Sequence, residues 1–266
     1  METRAVIEDG PFAFAEGPAP ADAGNWAFIG SHSRTGSNLW ARLLSLHPDC
    51  QIGQEDGGPF ALMTLFTTRY FFVEGRDCLA INASMRAGRV FSRAEVRMMC
   101  EAWRSICGGG AAIVGDKQRQ LWFCREAVRE VFPGCHFITT IRHPLDQLAS
   151  ACAYNPTISA WSAAQKLSYL QEHCDDFGCA PTEGGVSTVR FEDLGKAKTR
   201  VAVLVEQWER MGLKASPQLV RAVGSTRYDA PAGTIGRWRS DRHVAVVMQV
   251  GADRIAASVE AAGYRL

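Results

Sequence analysis

The sequence has no excess charge of either sign. Among its 266 residues, 29 lysines and arginines face 28 aspartates and glutamates, leaving a net +1. No global field therefore draws in nucleic acid or anionic lipid, and any anion site has to be built locally. Long apolar runs are absent too: no stretch reaches the ~20 residues of a membrane span. The start, METRAVIEDG, is acidic and lacks the basic-then-apolar order of a secretion signal. The nine cysteines include no CxxC pair and no Cys/His spacing suited to zinc. These absences predict reduced, structural thiols, no metal, no nucleic-acid or membrane partner, and a cytoplasmic protein. Repeats and low-complexity tracts are also missing, and oligomeric state is left open.

What is present is a chain 47% hydrophobic and 21% charged, enough for one substantial core. Short apolar runs at Trp26–Gly30, Ala111–Gly115, His136–Ile141 and Val186–Phe191 alternate with helical patterns. One of those patterns ends at Phe132, another starts at Pro144, and a third is VAVLVEQWERMG. Such alternation predicts an α/β fold of three layers, a mostly parallel central sheet flanked by helices. Residues 1–24, rich in alanine and proline, read as a flexible lead-in to one domain over 25–266. A helical insertion is expected at about 57–110, aromatic in its middle (Phe60, Phe66, Tyr70, Phe71, Phe72), and a glycine- and arginine-rich loop at 224–240.

The stretch FIGSHSRTGSNLW (Phe28–Trp40) reads as strand, turn and helix. A nucleoside-triphosphate loop has the form GxxxxGK followed by Ser or Thr, with the lysine on the phosphates and the hydroxyl on magnesium. Here five residues rather than four lie between Gly30 and Gly36, and neither that lysine nor the metal-binding hydroxyl is in place. An anion site remains, because Gly36 permits a tight turn, Ser37 and Asn38 offer donors, and the helix start aims its free amides at the bend. Arg34 supplies the charge that the missing lysine would have given.

SRTGSNLW resembles the K/R-SGTTL-L/W loop of sulfotransferases that use 3'-phosphoadenosine 5'-phosphosulfate (PAPS). Four more segments match in order, with spacing nearest the protein-tyrosine, Golgi-type and bacterial members. IRHPLDQLAS resembles the arginine–proline–serine element, placing Arg142 and Ser150 on the 3'-phosphate. VGDKQRQLWF puts Lys117 where such members hold the bridging oxygen, and LLSLHPDCQIGQED aligns Glu55 with their catalytic glutamate. GTIGRWRSD resembles the loop closing over adenosine, with Gly233, Gly236, Trp238 and Arg239 matching. Pro231 and Ala232 stand where many cytosolic members carry two basic residues, and Arg237 or Arg227 is the substitute charge. VRFEDL resembles a largely structural strand end.

The resemblance implies the P-loop-like sulfotransferase fold and a metal-independent enzyme that moves a sulfuryl group in line from PAPS to a hydroxyl or amine, releasing adenosine 3',5'-bisphosphate (PAP). Glu55 is then the base, Lys117 and Arg34 stabilise the leaving phosphate, and Arg34, Thr35, Gly36, Ser37, Asn38, Arg142, Ser150, Gly236, Arg237, Trp238 and Arg239 bind the nucleotide. Its partner is an acceptor: a small molecule, a glycan or a peptide. His32 beside two phosphates would be protonated, so it is assigned to anion contact or packing, and His47 and His143 to capping and packing. The competing readings are a small P-loop kinase and a nucleotide-binding protein without catalysis.

Overall fold

The computed structural model describes residues 25–54, 70–72, 80–82, 93–122, 125–174, 186–225 and 234–266. In chain order the elements begin with β1 (Trp26–Ile29), α1 (Ser37–Leu44) and β2 (Cys50–Gln54), then β3 (Tyr70–Phe72), β4 (Ala80–Asn82) and α2 (Arg93–Cys107). Next come β5 (Ile113–Lys117), a 3-10 turn over Arg119–Trp122, α3 (Arg125–Val131) and β6 (His136–Ile141). Three helices follow, α4 (Pro144–Tyr154), α5 (Pro156–Ala160) and α6 (Ala163–His173), and then β7 (Val186–Arg190). The chain continues through α7 (Phe191–Leu194), α8 (Ala197–Arg210), α9 (Pro217–Ser225), a 3-10 turn at Arg237–Ser240 and α10 (Arg242–Ala261).

The main sheet has the order β2-β5-β1-β6-β7, and every pairing in it is parallel. β1 lies at its centre and is buried along its whole length, as a strand covered on both faces must be. Alternation sends its side chains to two cores. Trp26 and Phe28 pack with Val114, Phe132 and Phe137 on one face, and Ala27 and Ile29 with Trp40, Ile52, Ile138 and Trp208 on the other. The indole of Trp208 also donates to the Leu44 carbonyl at 3.1 Å, fixing α8 to the end of α1. A third cluster joins α4, α6 and α10 through Leu148, Tyr169, Leu170, Val247 and Ile255. Strand order reverses about β1, so the crevice beyond its carboxyl end is where an open α/β sheet takes its ligand.

Two expectations need correction. The aromatic run Tyr70–Phe72 is a strand, antiparallel to Ala80–Asn82, where the pattern predicted helix; aromatic side chains favour the pleated surface over a helix turn. Only α2 is helical among the described residues of 57–110, and Phe60 and Phe66 lie outside them. The strand expected at Ala111–Gly115 runs instead from Ile113 to Lys117, because ladder pairing to β1 and β2 carries it through Asp116 and Lys117.

Cys50, Cys100, Cys135 and Cys152 are buried free thiols, and Cys174 is buried as well. Burial pushes the thiols of Cys50 and Cys135 up to about 12 and that of Cys152 to about 11. None of the helices in the described residues is long and apolar enough to cross a membrane.

Candidate active site

The turn after β1 is fastened from below by hydroxyls. Thr35 Oγ1 lies 2.8 Å from the His32 carbonyl oxygen, to which it donates, and 2.8 Å from Thr140 Oγ1 on β6. Ser31 Oγ in turn accepts from the Thr140 amide at 2.8 Å. Thr35 is fully buried, so of this expected anion contact only the backbone is left to serve. Arg34 (φ 66°) and Gly36 (φ 95°) both sit in the left-handed region. At Gly36 a Cβ would strike the Phe191 ring. α1 starts at Ser37 with no side-chain cap, which leaves its first amides available to a ligand. Asn38 is exposed there and Ser37 is buried.

His32 faces inward. Its ring packs edge-on against Tyr169 and His173, and the Gln147 amide nitrogen lies 2.9 Å from its Nδ1, 2.8 Å from Tyr169 Oη and 3.0 Å from the Ser33 carbonyl oxygen. Burial, reinforced by His32 itself, holds the His173 imidazole well below its ordinary pKa. Of the two roles assigned to His32, packing is the one its surroundings match.

Lys117 ends β5 in register with Ile29 of β1 and Gln54 of β2. Ile113, four residues earlier, packs on the α1 face, so strand alternation places Lys117 on that face beside the turn. It is only 6% exposed. Gln54 shares the same face by the same rule, since Cys50 and Ile52 belong to that core. Glu55, Arg227, Pro231, Ala232 and Gly233 lie outside the described residues.

Arg142 leaves β6 one residue before α4's cap, His143, and is 4% exposed. Its guanidinium donates to the carbonyl oxygens of Arg34 (3.2 Å) and Thr234 (2.6 Å), with the Phe191 ring centroid 4.5 Å away. Ser150, assigned with Arg142 to the 3'-phosphate, accepts from Arg34 Nε at 3.2 Å. Asp146, four residues after Arg142, takes the backbone amides of Gly236 (2.6 Å) and Trp238 (3.0 Å). That carboxylate pins the second glycine turn, where Gly236 has φ 77° and a Cβ would be strained. Trp238 stacks on His143 at 5.5 Å, Arg239 lies over Trp238, and Arg237 is exposed. Replacing Asp146 with alanine strands two amides and is expected to cost about 2–3 kcal/mol. A urea titration would show the loss, together with weaker nucleotide binding.

Several supporting residues are not in the sequence-derived set. Glu192 accepts from the His143 amide (2.8 Å) and from Tyr264 Oη (3.1 Å), and so holds the start of α4. Burial, then the Glu192 charge, drives the Tyr264 phenol well above its usual pKa. The VRFEDL motif carried the signal for Phe191 and Glu192. Asp146 stood in view in RHPLD, but only the folded turn at Gly236 gives it a role.

Among solved structures the chain is similar to a sulfotransferase from Alicyclobacillus acidocaldarius, at 14% identity, covering 91% of this chain and 96% of that one with a TM-score of 0.48. It is also similar to the sulfotransferase domain of the Synechococcus PCC 7002 olefin synthase (16% identity, 95% and 100% covered, TM-score 0.48). A mouse sulfotransferase complexed with PAP matches at 12% identity, with 83% and 67% covered and a TM-score of 0.46. No curated protein matches the chain. The profile of the sulfotransferase family matches residues 27–203, from β1 through the first half of α8. With more than half its length matched in this way, and with the parallel sheet such a fold requires, the chain belongs to the sulfotransferase family.

Proposed function

We propose that this sulfotransferase uses PAPS as donor, without a metal, and transfers the sulfuryl group to a hydroxyl or amine of a small molecule, glycan or peptide. The observation that carries this reading is the glycine-turned, uncapped start of α1, with Lys117 on one side and Arg34 on the other. Free helix amides and the Lys117 cation suit a phosphosulfate without calling on a divalent ion, and Arg34 adds charge for the rest of the nucleotide. The residues fit the donor: Gly36, Ser37 and Asn38 would hold its 5' end, and the turn Gly236–Arg239 would cover the nucleoside. When bound, PAPS supplies a sulfuryl group open to in-line attack, with PAP as the leaving group.

Around it, Glu55 takes the acceptor's proton. Lys117 offsets charge on the departing oxygen, as fixed cations do in phosphoryl transfer. Arg142 holds the turn after β1 to the carboxyl-terminal loop, and Arg34 adds positive charge to the nucleotide site. Residues 25–266 are read as one domain preceded by the 1–24 lead-in.

The test is incubation with PAPS and a panel of acceptors in EDTA, read by mass. The expected result is the gain of one sulfuryl group on an acceptor and a calorimetric titration with PAP. Transfer from ATP that depends on magnesium, or PAP binding with no transfer to any acceptor, would overturn it.

A further inference from the structure

We infer that Arg34 serves the 3'-phosphate of the nucleotide rather than the leaving 5' phosphate, with Ser150 and Tyr154 as its positioning residues; the inference rests on the PAPS reading above. The direction of the side chain carries it. Arg34 Nε donates to Ser150 Oγ at 3.2 Å, and its guanidinium carbon stands 4.1 Å from the Tyr154 ring centroid. Ser150 and Tyr154 lie one turn apart on the same face of α4. α4 follows β6, and β6 and β5 flank β1 on opposite sides. The guanidinium therefore lies across the turn from Lys117.

The backbone explains the direction. Arg34 is the only non-glycine residue with positive φ among the described residues, a conformation that costs an L-residue roughly 1–2 kcal/mol. Its carbonyl is held by Arg142 and its side chain by α4, so both ends oppose relaxation. Arg142 meanwhile is buried, and its terminal nitrogens are engaged on two backbone carbonyls. Those bonds make it a tie between the two glycine turns. The terminal nitrogens of Arg34, by contrast, carry no hydrogen bond among the described residues. The Ser150 hydroxyl accepts from Arg34 and keeps its own proton to donate, so the pair presents donors only, as a phosphate dianion requires. Tyr154, 71% exposed, supplies the ring under the cation.

Calorimetry with PAP and with adenosine 5'-phosphate, which lacks the 3'-phosphate, separates the two ends. Wild type is expected to prefer PAP. Arg34→Gln should erase most of that preference, weakening PAP by about 10- to 100-fold, the value of a charge-assisted hydrogen bond, and leaving adenosine 5'-phosphate nearly unchanged. Tyr154→Leu should lower PAP affinity about threefold and Tyr154→Phe should restore it, because the ring alone matters. In turnover, Arg34→Gln should raise KM for PAPS and leave kcat close to wild type. Equal loss of both nucleotides in Arg34→Gln, or a fall in kcat at constant KM, places Arg34 at the leaving phosphate and overturns the inference. Melting curves guard against misfolding, and Arg34→Lys, which keeps the charge, should lose less of the preference than Arg34→Gln. If wild type binds neither nucleotide, the PAPS reading falls, and this inference with it.

Discussion

Glu55→Gln is expected to lower turnover by about 10²- to 10⁴-fold, the usual effect of removing a positioned base, while PAP binds as it does to wild type. The carboxamide keeps the size of the side chain and loses only its ability to accept a proton, so the defect should fall on kcat. Two features of the surroundings sharpen this expectation. β2 ends at Gln54, in register with Lys117 and one residue before Glu55 in the sequence. His32, the other base near the turn, is buried with its Nδ1 against the Gln147 amide and is in no position to relay an acceptor's proton. Single-turnover assays with saturating PAPS would measure the step directly. Wild-type turnover in the variant would move the base to another residue.

Gly36→Ala should damage the turn itself. The position has φ 95°, which costs alanine roughly 1–2 kcal/mol, and its new methyl would run into the Phe191 ring, adding about 1–3 kcal/mol of overpacking. The ring has little room to yield. Arg142 lies over it, and moving that arginine would disturb both carbonyls that it ties. The expected loss is therefore about 2–5 kcal/mol in urea, with PAP binding abolished even where the chain stays folded. Adding Phe191→Leu should return part of the stability, since the two changes share one contact and will not be additive. An unaltered denaturation midpoint in the single variant would mean that the turn can open at no cost.

Much of this fold could be read directly. His136–Ile141 is a strand over the residues its apolar run marks, Pro144 opens its helix, and the turn at Gly36 leads into α1 as the pattern implied. Those signals are local: burial on both faces writes a continuous apolar run, and proline and glycine mark where it stops. Partnership across the fold is not written that way. Arg142, Asp146 and Ser150 are close together in sequence, and the resemblance assigns Arg142 and Ser150 to the nucleotide. In the structure their bonds go to two distant segments: Arg142 reaches both Arg34 and Thr234, Asp146 the Gly236 turn and Ser150 Arg34. One helix turn can present several polar groups on one side, and only the elements arriving from elsewhere decide which bonds form. The Tyr70–Phe72 strand was missed for a related reason, since three aromatics in a row carry no period that separates strand from helix.

The buried thiols have a practical consequence. A side chain that ionises only near pH 11 or 12 offers almost no thiolate at neutrality, so Cys50, Cys135 and Cys152 should ignore alkylating reagents for as long as the layers around them stay shut. They sit, respectively, in an edge strand, before a central strand and in the helix bearing Ser150. The order in which iodoacetamide reaches them under mild denaturant would report which layer of the molecule opens first, and PAP should protect Cys152 if the nucleotide clasps that helix.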